Sequence, residues 1–500
     1  MSVKMNVNLG IDVGTTGIKA LAVDASGNVV GSFSHPLSLL TPHPAWAEQD
    51  PESWWEGVLS LLRAVPKNMT VERIGLSGQM HTLVPLDKDG NVLRNAILWC
   101  DQRTASECEA ATQALGGEER VIELTGNPIY PGFTLPKILW LRNREPEVYK
   151  KIAMCLIAKD YIAYRLTGVL GCDPSDASGS AMYDVVRRRW SAPLLEALRI
   201  DKNLLPRIQG SFEARGRLRK DLAQKLSWDE IEVVAGGADN AVSALGVGIC
   251  EEGDCMVSIG TSGTVVGATR QTASDKTGKL HFFNHVLPDL SYYMGVMLSA
   301  ASSLNWFKEK MGANFTWDEI EKGVERTPIG SDGLLWLPYL QGERTPHRNP
   351  NARGVLFGLS TMSDETRIFR AVMEGITYGL RDSFELLRER MPIKRVLLVG
   401  GGAKNKVWRK MLANNMKVPV TTPAVDEGGA YGAAMLAALG GGMDLATVKG
   451  WVKEAAVTEP DEADYARYDA VYGQFKALYA DLERRFDAVA DISRAGEFSA

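Results

Sequence analysis

The chain has 500 residues, with 56 Lys and Arg against 61 Asp and Glu, a formal charge of −5, 45% apolar and 23% charged residues. That is the composition of an ordinary globular protein, and it excludes disordered, collagenous and coiled-coil classes; no stretch approaches the ~20 apolar residues of a membrane span. The mildly acidic balance, whose densest basic run is only Arg187-Arg188-Arg189, also argues against a nucleic-acid binder.

The opening MSVKMNVNLG lacks the apolar segment of a secretory signal. Six scattered cysteines, none in CxxC, read as free thiols, so a cytoplasmic location is expected. Alternation predicts strands near Asn8–Asp12 and Ala20–Asp24, with a turn at Ser26-Gly27-Asn28. Asp50-Pro51-Glu52 combines an N-cap carboxylate, a first-position proline and a first-turn acid, so a helix is predicted through SWWEGVLSLLRAV. The strand VERIGLSG follows, and strands alternating with helices predict an α/β protein.

Further along, HFFNHVLPDLSYYMGV reads as aromatic strands broken by a Pro-Asp turn. His281 and His285 have ligand spacing only on a helix and lack a third partner, so they are not read as a zinc pair. A long helix is predicted over DETRIFRAVMEGITYGLRDSFELLRER, with Ile368, Val372, Ile376 and Leu380 on one face and Ser363 as its cap. KRVLLV is a buried strand running into Gly400-Gly401-Gly402, the kind of strand end where α/β proteins bind ligands. From about Glu459 the chain reads as a charged helix with a polar tail.

A weak internal repeat organises these elements. LGIDVGTTGIKALAVD near the start and CMVSIGTSGTVVGATR after residue 254 both read strand, Gly-Thr-Thr/Ser-Gly, strand, and Gly14 and Gly260 are 246 residues apart. A duplicated unit is therefore expected, with a connection near residues 245–254.

The residues that could carry chemistry sit at strand ends. The Gly14-Thr15-Thr16-Gly17 loop offers close backbone approach and N–H and hydroxyl donors to a phosphate, with Asp12 placed to hold Mg²⁺ through waters; a tight hairpin with a turn-capping Asp is the plainer alternative. Gly260-Thr261-Ser262-Gly263 repeats the loop and favours phosphate. In VVAGGADNA, Asp239 is either a helix N-cap or a general base kept ionised by the helix end, with small neighbours leaving room for an alcohol. Gln79-Met80-His81 either caps a turn or reaches ligand hydroxyls. Gly401, Gly402 and Asn405 could receive a flat group and hydrogen-bond a sugar or base, while the segment alone reads as a helix-entry loop. GxxxxGK[ST], GxGxxG and the protein-kinase signatures are absent.

Taken together, IDVGTTGIKALAVD, SGQMH, ILWCDQRT, PGFTLPK, GGADNA, SIGTSGTV, GVMLSAASSLNWF, LPYLQGERTPHRNPNARGVLFGL and LLVGGGAKNKVWRKMLA resemble, in this order and from about Leu9 to Gly440, the FGGY carbohydrate kinases. The QMH and PGFT-x-PK segments look like the branch that converts D-xylulose to D-xylulose 5-phosphate. The resemblance implies two α/β domains of the actin/hexokinase-like (ribonuclease H-like) ATPase class around a cleft. Residues 1–248 would bind sugar and carry the base, and 249–500 would bind ATP, with the helical tail from about 459. It implies Asp239 as catalytic base, Asp12 at the Mg²⁺–phosphate region, and Met80, His81, Asp239 and Asn240 around a pentulose. Thr15, Thr16, Gly260, Thr261 and Ser262 would meet ATP phosphates, and Gly401, Gly402 and Asn405 the adenosine; a homodimer is a further implication. Glycerol-type members carry Arg-Glu at the Met80-His81 positions and a tyrosine near Gly132, so a larger sugar than glycerol is expected here. Cys100, Arg144 and Arg367 depart from the family pattern. The alternatives are another sugar (ribulose, gluconate, fuculose or a less common ketose), or a non-catalytic actin-like ATP-binding regulatory protein.

Overall fold

Short alternating strands and glycine turns govern the local structure. The computed structural model describes residues 5–312, 314–425 and 427–497; the end of the polar tail, 498–500, lies outside the described residues. By packing, the chain separates into two units. One comprises Met1–Cys250, Arg270–Tyr292 and Glu427–Lys453; the other comprises Glu251–Thr269, Tyr293–Asp426 and Glu454–Ala500.

In the first unit the strands Met5–Val13 and Gly17–Val23 form an antiparallel hairpin around the Gly-Thr loop, closed by the Gly14 N–H donating to the Gly17 carbonyl at 3.0 Å. Asp12 pairs with Lys19 across the hairpin and, on the other side, with Ser77 of the parallel strand Met69–Gly78. The sheet order is Ala214–Arg217, Glu232–Val234, Met69–Gly78, Met5–Val13, Gly17–Val23, Val29–Pro36, with Gly237–Ala238 added beside Ser77-Gly78. The helix Pro51–Ala64 begins as expected, Asp50 accepting from the Glu52 N–H at 2.9 Å, and turns Trp54, Val58, Leu61 and Leu62 into the core.

The second unit repeats this order read from the opposite edge: Ser291–Met297 (all but its first two residues in this unit), Gly263–Thr269, Asp254–Ile259, Arg395–Val399, Val420–Pro423, Glu454–Thr458. Again an antiparallel hairpin surrounds a Gly-Thr loop, and its first strand, Asp254–Ile259, runs parallel to Arg395–Val399. The duplication legible in the sequence is thus a duplication of sheet topology.

The segments 270–292 and 427–453 join the first unit although they follow residue 250 in the chain. For 427–453 the cause is a very close approach. The helix Gly428–Gly440 lies on the first sheet where Gly10 and Gly75 expose bare backbone: a Cβ on Gly10 would meet the Ala430 carbonyl oxygen at 2.0 Å, and one on Gly75 the Ala433 oxygen at 1.8 Å.

Smaller expectations are also resolved. HFFN and SYYMGVM are strands, His281–Asn284 and Ser291–Met297. The long helix spans Glu365–Arg390, but its cap is Asp364, accepting from the Arg367 N–H at 2.9 Å, and not Ser363. Ser363 instead accepts from the Ser360 N–H in the preceding turn. Arg367 pairs with Asp332 and Asp364 in the first helical turn. Arg144 is exposed in the last turn of Thr134–Arg144, where a cation suits the helix dipole. A charged helix closes the chain from Tyr465, after the edge strand Glu454–Thr458. Among the described residues no helix is long and apolar enough to cross a membrane.

Candidate active site

Three parallel segments of the first unit end side by side. Met5–Val13 delivers Asp12, Met69–Gly78 runs into Gln79-Met80-His81, and Gly237–Ala238 delivers Asp239. Carboxyl ends of parallel strands are where such sheets place ligand-binding residues, because the chain leaves the ladder there with backbone groups to spare.

Asp239 opens the helix Asp239–Gly246 as its first residue; the N-cap is Ala238. Its Oδ1 accepts from the Asn240 N–H at 2.8 Å. Protein crowds the carboxyl from most directions while leaving part of it accessible. Burial first, and then the negative charge of Asp12, push its pKa up to about 7, against weaker opposing bonds from the Asn240 and Met80 N–H groups. The helix end therefore does not keep Asp239 fully ionised, as its position alone suggests; desolvation and a second carboxylate outweigh it.

Asp12 is raised by burial too, partly offset by the Ser77 hydroxyl and the Lys19 charge. Its Oδ1 and the adjacent Ser77 Oγ are buried and neither makes a hydrogen bond of good geometry, so the nearby hydroxyl offsets the burial only in part. Gly429, in the first turn of Gly428–Gly440, lies against both: a Cβ there would fall 2.8 Å from Asp12 Oδ1 and 2.6 Å from Ser77 Oγ. An orphaned carboxylate oxygen beside bare backbone suits Mg²⁺ that keeps most of its waters and needs one protein carboxylate. Among the described residues no cluster of three His, Cys, Asp or Glu side chains offers a full protein cage. Ser77 and Gly429 escaped the sequence reading; a glycine pair opening an Ala- and Gly-rich helix was the available signal.

The Met80 sulfur accepts from Asn240 Nδ2 at 3.3 Å, which brings Met80, Asn240 and Asp239 into one cluster. His81 takes a left-handed backbone, φ 67°. Several groups hold this strained conformation. Its Nδ1 lies 2.6 Å from the Gly179 carbonyl, its ring stacks on Phe133 at 4.5 Å, and its own carbonyl accepts from Lys137 Nζ at 2.8 Å and Thr134 Oγ1 at 3.1 Å. Lys137, fully buried, also donates to the Gly132 carbonyl at 2.7 Å, and burial lowers its pKa to about 7. Gly132 does not open space along its Cβ direction, which the Trp99 carbonyl occupies at 2.4 Å.

The first Gly-Thr loop is tied to this cluster. The Thr15 hydroxyl donates to Gln79 Oε1 at 3.3 Å and accepts from Trp99 Nε1 at 3.0 Å, while the Thr15 carbonyl accepts from Gln49 Nε2 at 2.7 Å. Thr16 is exposed at the loop tip. Cys100, next to Trp99, is half-buried, and burial raises its pKa.

In the second unit, Gly260-Thr261-Ser262 and Gly400-Gly401-Gly402 follow the adjacent parallel strands Asp254–Ile259 and Arg395–Val399. The Thr261 carbonyl accepts from the Ala300 and Ser302 N–H groups at 3.0 and 3.1 Å, leaving the Thr261 and Ser262 side chains exposed. Gly400 has φ 86°, and Gly402 abuts Ile259, but the Cβ direction of Gly401 is open. Asn405 caps the helix Lys406–Met416, its Oδ1 accepting from the Trp408 N–H at 2.8 Å, so only its amide NH₂ remains for a ligand. The structure thus brings Asp12, Met80, His81, Asp239 and Asn240 together in the first unit, and the Gly260 and Gly401 loops together in the second.

The chain also matches known proteins over most of its length. The model of the FGGY family of carbohydrate kinases matches by its N-terminal domain over residues 7–246 and by its C-terminal domain over 255–440. A xylulose kinase of Staphylococcus xylosus is 38% identical over 479 residues, 94% of this chain and 99% of that protein. A xylulose kinase of Bacillus subtilis (strain 168) is 38% identical over 485 residues, 95% of this chain and 97% of its own. The crystal structure of ligand-bound xylulose kinase from Lactobacillus acidophilus matches with a TM-score of 0.92 at 27% identity, over 97% of this chain and 100% of that chain. The expected class of two actin/hexokinase-like α/β domains agrees with these likenesses and with the repeated sheet order.

Proposed function

The chain belongs to the FGGY family of carbohydrate kinases, and from that premise we propose that it transfers the γ-phosphoryl group of ATP to D-xylulose, giving D-xylulose 5-phosphate and ADP. The observation that carries this reading is the Asp239 cluster. A carboxyl group poised at about pH 7 stands beside Met80, Asn240 and a rigidly held His81, and xylulose kinases are similar to the chain over nearly its whole length.

Asp239 accepts the proton of the sugar's terminal hydroxyl as that oxygen bonds to the γ-phosphorus and the bond to the β,γ-bridging oxygen breaks, releasing ADP. Half-ionised at neutral pH, the carboxylate is neither too weak a base nor too costly to keep charged. Met80, His81 and Asn240 orient the sugar. Asn240 is itself held by the Met80 sulfur, and the His81 ring by Phe133 and the Gly179 carbonyl, so little freedom is lost when a ligand arrives. Asp12 would hold Mg²⁺ through its waters, and the ion would there neutralise charge on the ATP phosphates. Thr16 and the backbone of the Thr15 loop, with Gly260, Thr261 and Ser262, are assigned to the phosphates; Gly401, Gly402 and the Asn405 amide are assigned to the adenosine.

Residues 1–248 would then carry sugar and base, and 249–500, with the tail from about 459, the nucleotide. Six free cysteines, five of them buried, suit a cytoplasmic enzyme, and a homodimer is the assembly this reading carries. The test is ADP release by the purified protein with MgATP and D-xylulose, D-ribulose, L-fuculose, gluconate or glycerol. The expected outcome is a kcat/KM for D-xylulose about tenfold or more above every other sugar. A different preferred sugar would reassign the substrate. ADP release independent of any sugar would favour a regulatory ATP-binding protein.

A further inference from the structure

The first unit buries an ion cluster that the reaction as described does not use. Lys159, fully buried, lies 2.6 Å from Asp160 Oδ1, 3.1 Å from Asp173 Oδ1 and 3.2 Å from Asp176 Oδ2, and all three carboxylates are buried with it. Such a cluster is a poor way to gain stability, because desolvation consumes most of the attraction. Its geometry leads toward Asp239. The other oxygen of Asp173, Oδ2, accepts from the Ser175 hydroxyl at 2.5 Å. The Ser175 oxygen in turn accepts from the Ala238 N–H at 2.9 Å, and Ala238 immediately precedes Asp239. Gly237 permits the approach, since a Cβ there would stand 2.9 Å from Ser175 Oγ.

The direction of each bond is fixed. The Ala238 N–H can only donate, so the Ser175 oxygen accepts there with a lone pair, and the hydroxyl's one proton is left to point at Asp173 Oδ2. The strand Gly237–Ala238 has only two residues in the sheet, so this side-chain bond is a principal restraint on where the next Cα stands.

We propose that Ser175, oriented by the Lys159–Asp173 pair, is a positioning residue that fixes the backbone of the catalytic Asp239. The proposal rests on the reading of Asp239 as the base. Breaking the bond leaves substrate contacts intact but lets the base drift, and misplacement of about 1 Å costs up to about 100-fold in rate. Ser175→Ala is therefore expected to lower kcat with D-xylulose by roughly 10- to 100-fold, with the KM for sugar and the affinity for ATP within about twofold of the parent.

Ser211 supplies the control. Its hydroxyl donates to the same Asp173 Oδ2, at 2.8 Å, but has no bond to the strand; Ser211→Ala should perturb the cluster equally and leave kcat near parental. Adding Ser175→Ala to Asp239→Asn should lower the rate no further, because the serine acts only through the aspartate. Should Ser175→Ala fail to fold, Ser175→Cys, with similar volume and a weak acceptor, is measured in its place and should fall between parent and the expected loss. A parental kcat in the Ser175 variant overturns the proposal. So does an equal loss in Ser211→Ala, or an additive loss on the Asp239→Asn background. Parental turnover in Asp239→Asn itself is a separate result, and overturns the assignment of the base on which the proposal rests.

Discussion

At the scale of single residues, the telling pair is Asp12 and Asp239. Both are raised by burial, and the charge of Asp12 adds to the upward shift of Asp239, which reaches about 7. A base must be ionised to act, so kcat/KM should rise with pH through a limb near 7 and flatten above it. Stability should run the opposite way. The folded protein holds the Asp239 proton more tightly than the unfolded chain, whose aspartates titrate at about 3.9. Stability is therefore greatest in acid with respect to this group, and is lost as pH rises from about 4 through 7. Asp239→Asn removes the buried charge, so its Tm should exceed the parent's by a few degrees at pH 8 and match it near pH 4. Paired thermal melts and a pH–rate profile check both signs; a parental melt at both pH values would mean the carboxyl is solvated as usual.

Among the elements, the helix Gly428–Gly440 contributes most to the site for the least side chain. It reaches the first sheet through Gly10 and Gly75 and the helix Asp239–Gly246 through Gly246 and Gly432, where a Cβ on Gly432 would meet the Val242 oxygen at 2.0 Å. At its first turn Gly429 closes on Asp12. Gly75→Ala should force this helix off the strand, costing about 1–3 kcal/mol by overpacking, read as a lowered Tm together with reduced kcat. Unchanged melting would show that the helix can shift freely. This attachment was not legible in the sequence, because nothing local announces that a helix 350 residues downstream of a strand will settle on it. The hairpins were legible because Gly14–Gly17 and Gly260–Gly263 specify their turns locally. The cap of Glu365–Arg390 was not legible to the residue, since Ser363 and Asp364 are both capable caps and only the path of the chain chooses between them.

For the molecule as a whole, the sequence carried the duplication, and the structure expresses it as one sheet order used twice. Asp12 was legible because it stands at the end of a strand that runs into a Gly-Thr loop, and Met80, His81, Asp239 and Asn240 because they follow strands that end in small residues. Lys137, Lys159 and Ser175 were not. Their partners are carbonyls and carboxylates brought near only by tertiary packing, and the same residue types on a surface would mean nothing. The proposed reaction turns on one carboxyl of the first unit accepting the sugar's proton during phosphoryl transfer. Its most direct test is the kcat of Asp239→Ala with saturating D-xylulose and MgATP, beside the ATP Kd of the same variant. The expected result is a kcat lowered by about 10²–10⁴-fold with the ATP Kd within about twofold of the parent. A kcat close to parental would contradict it.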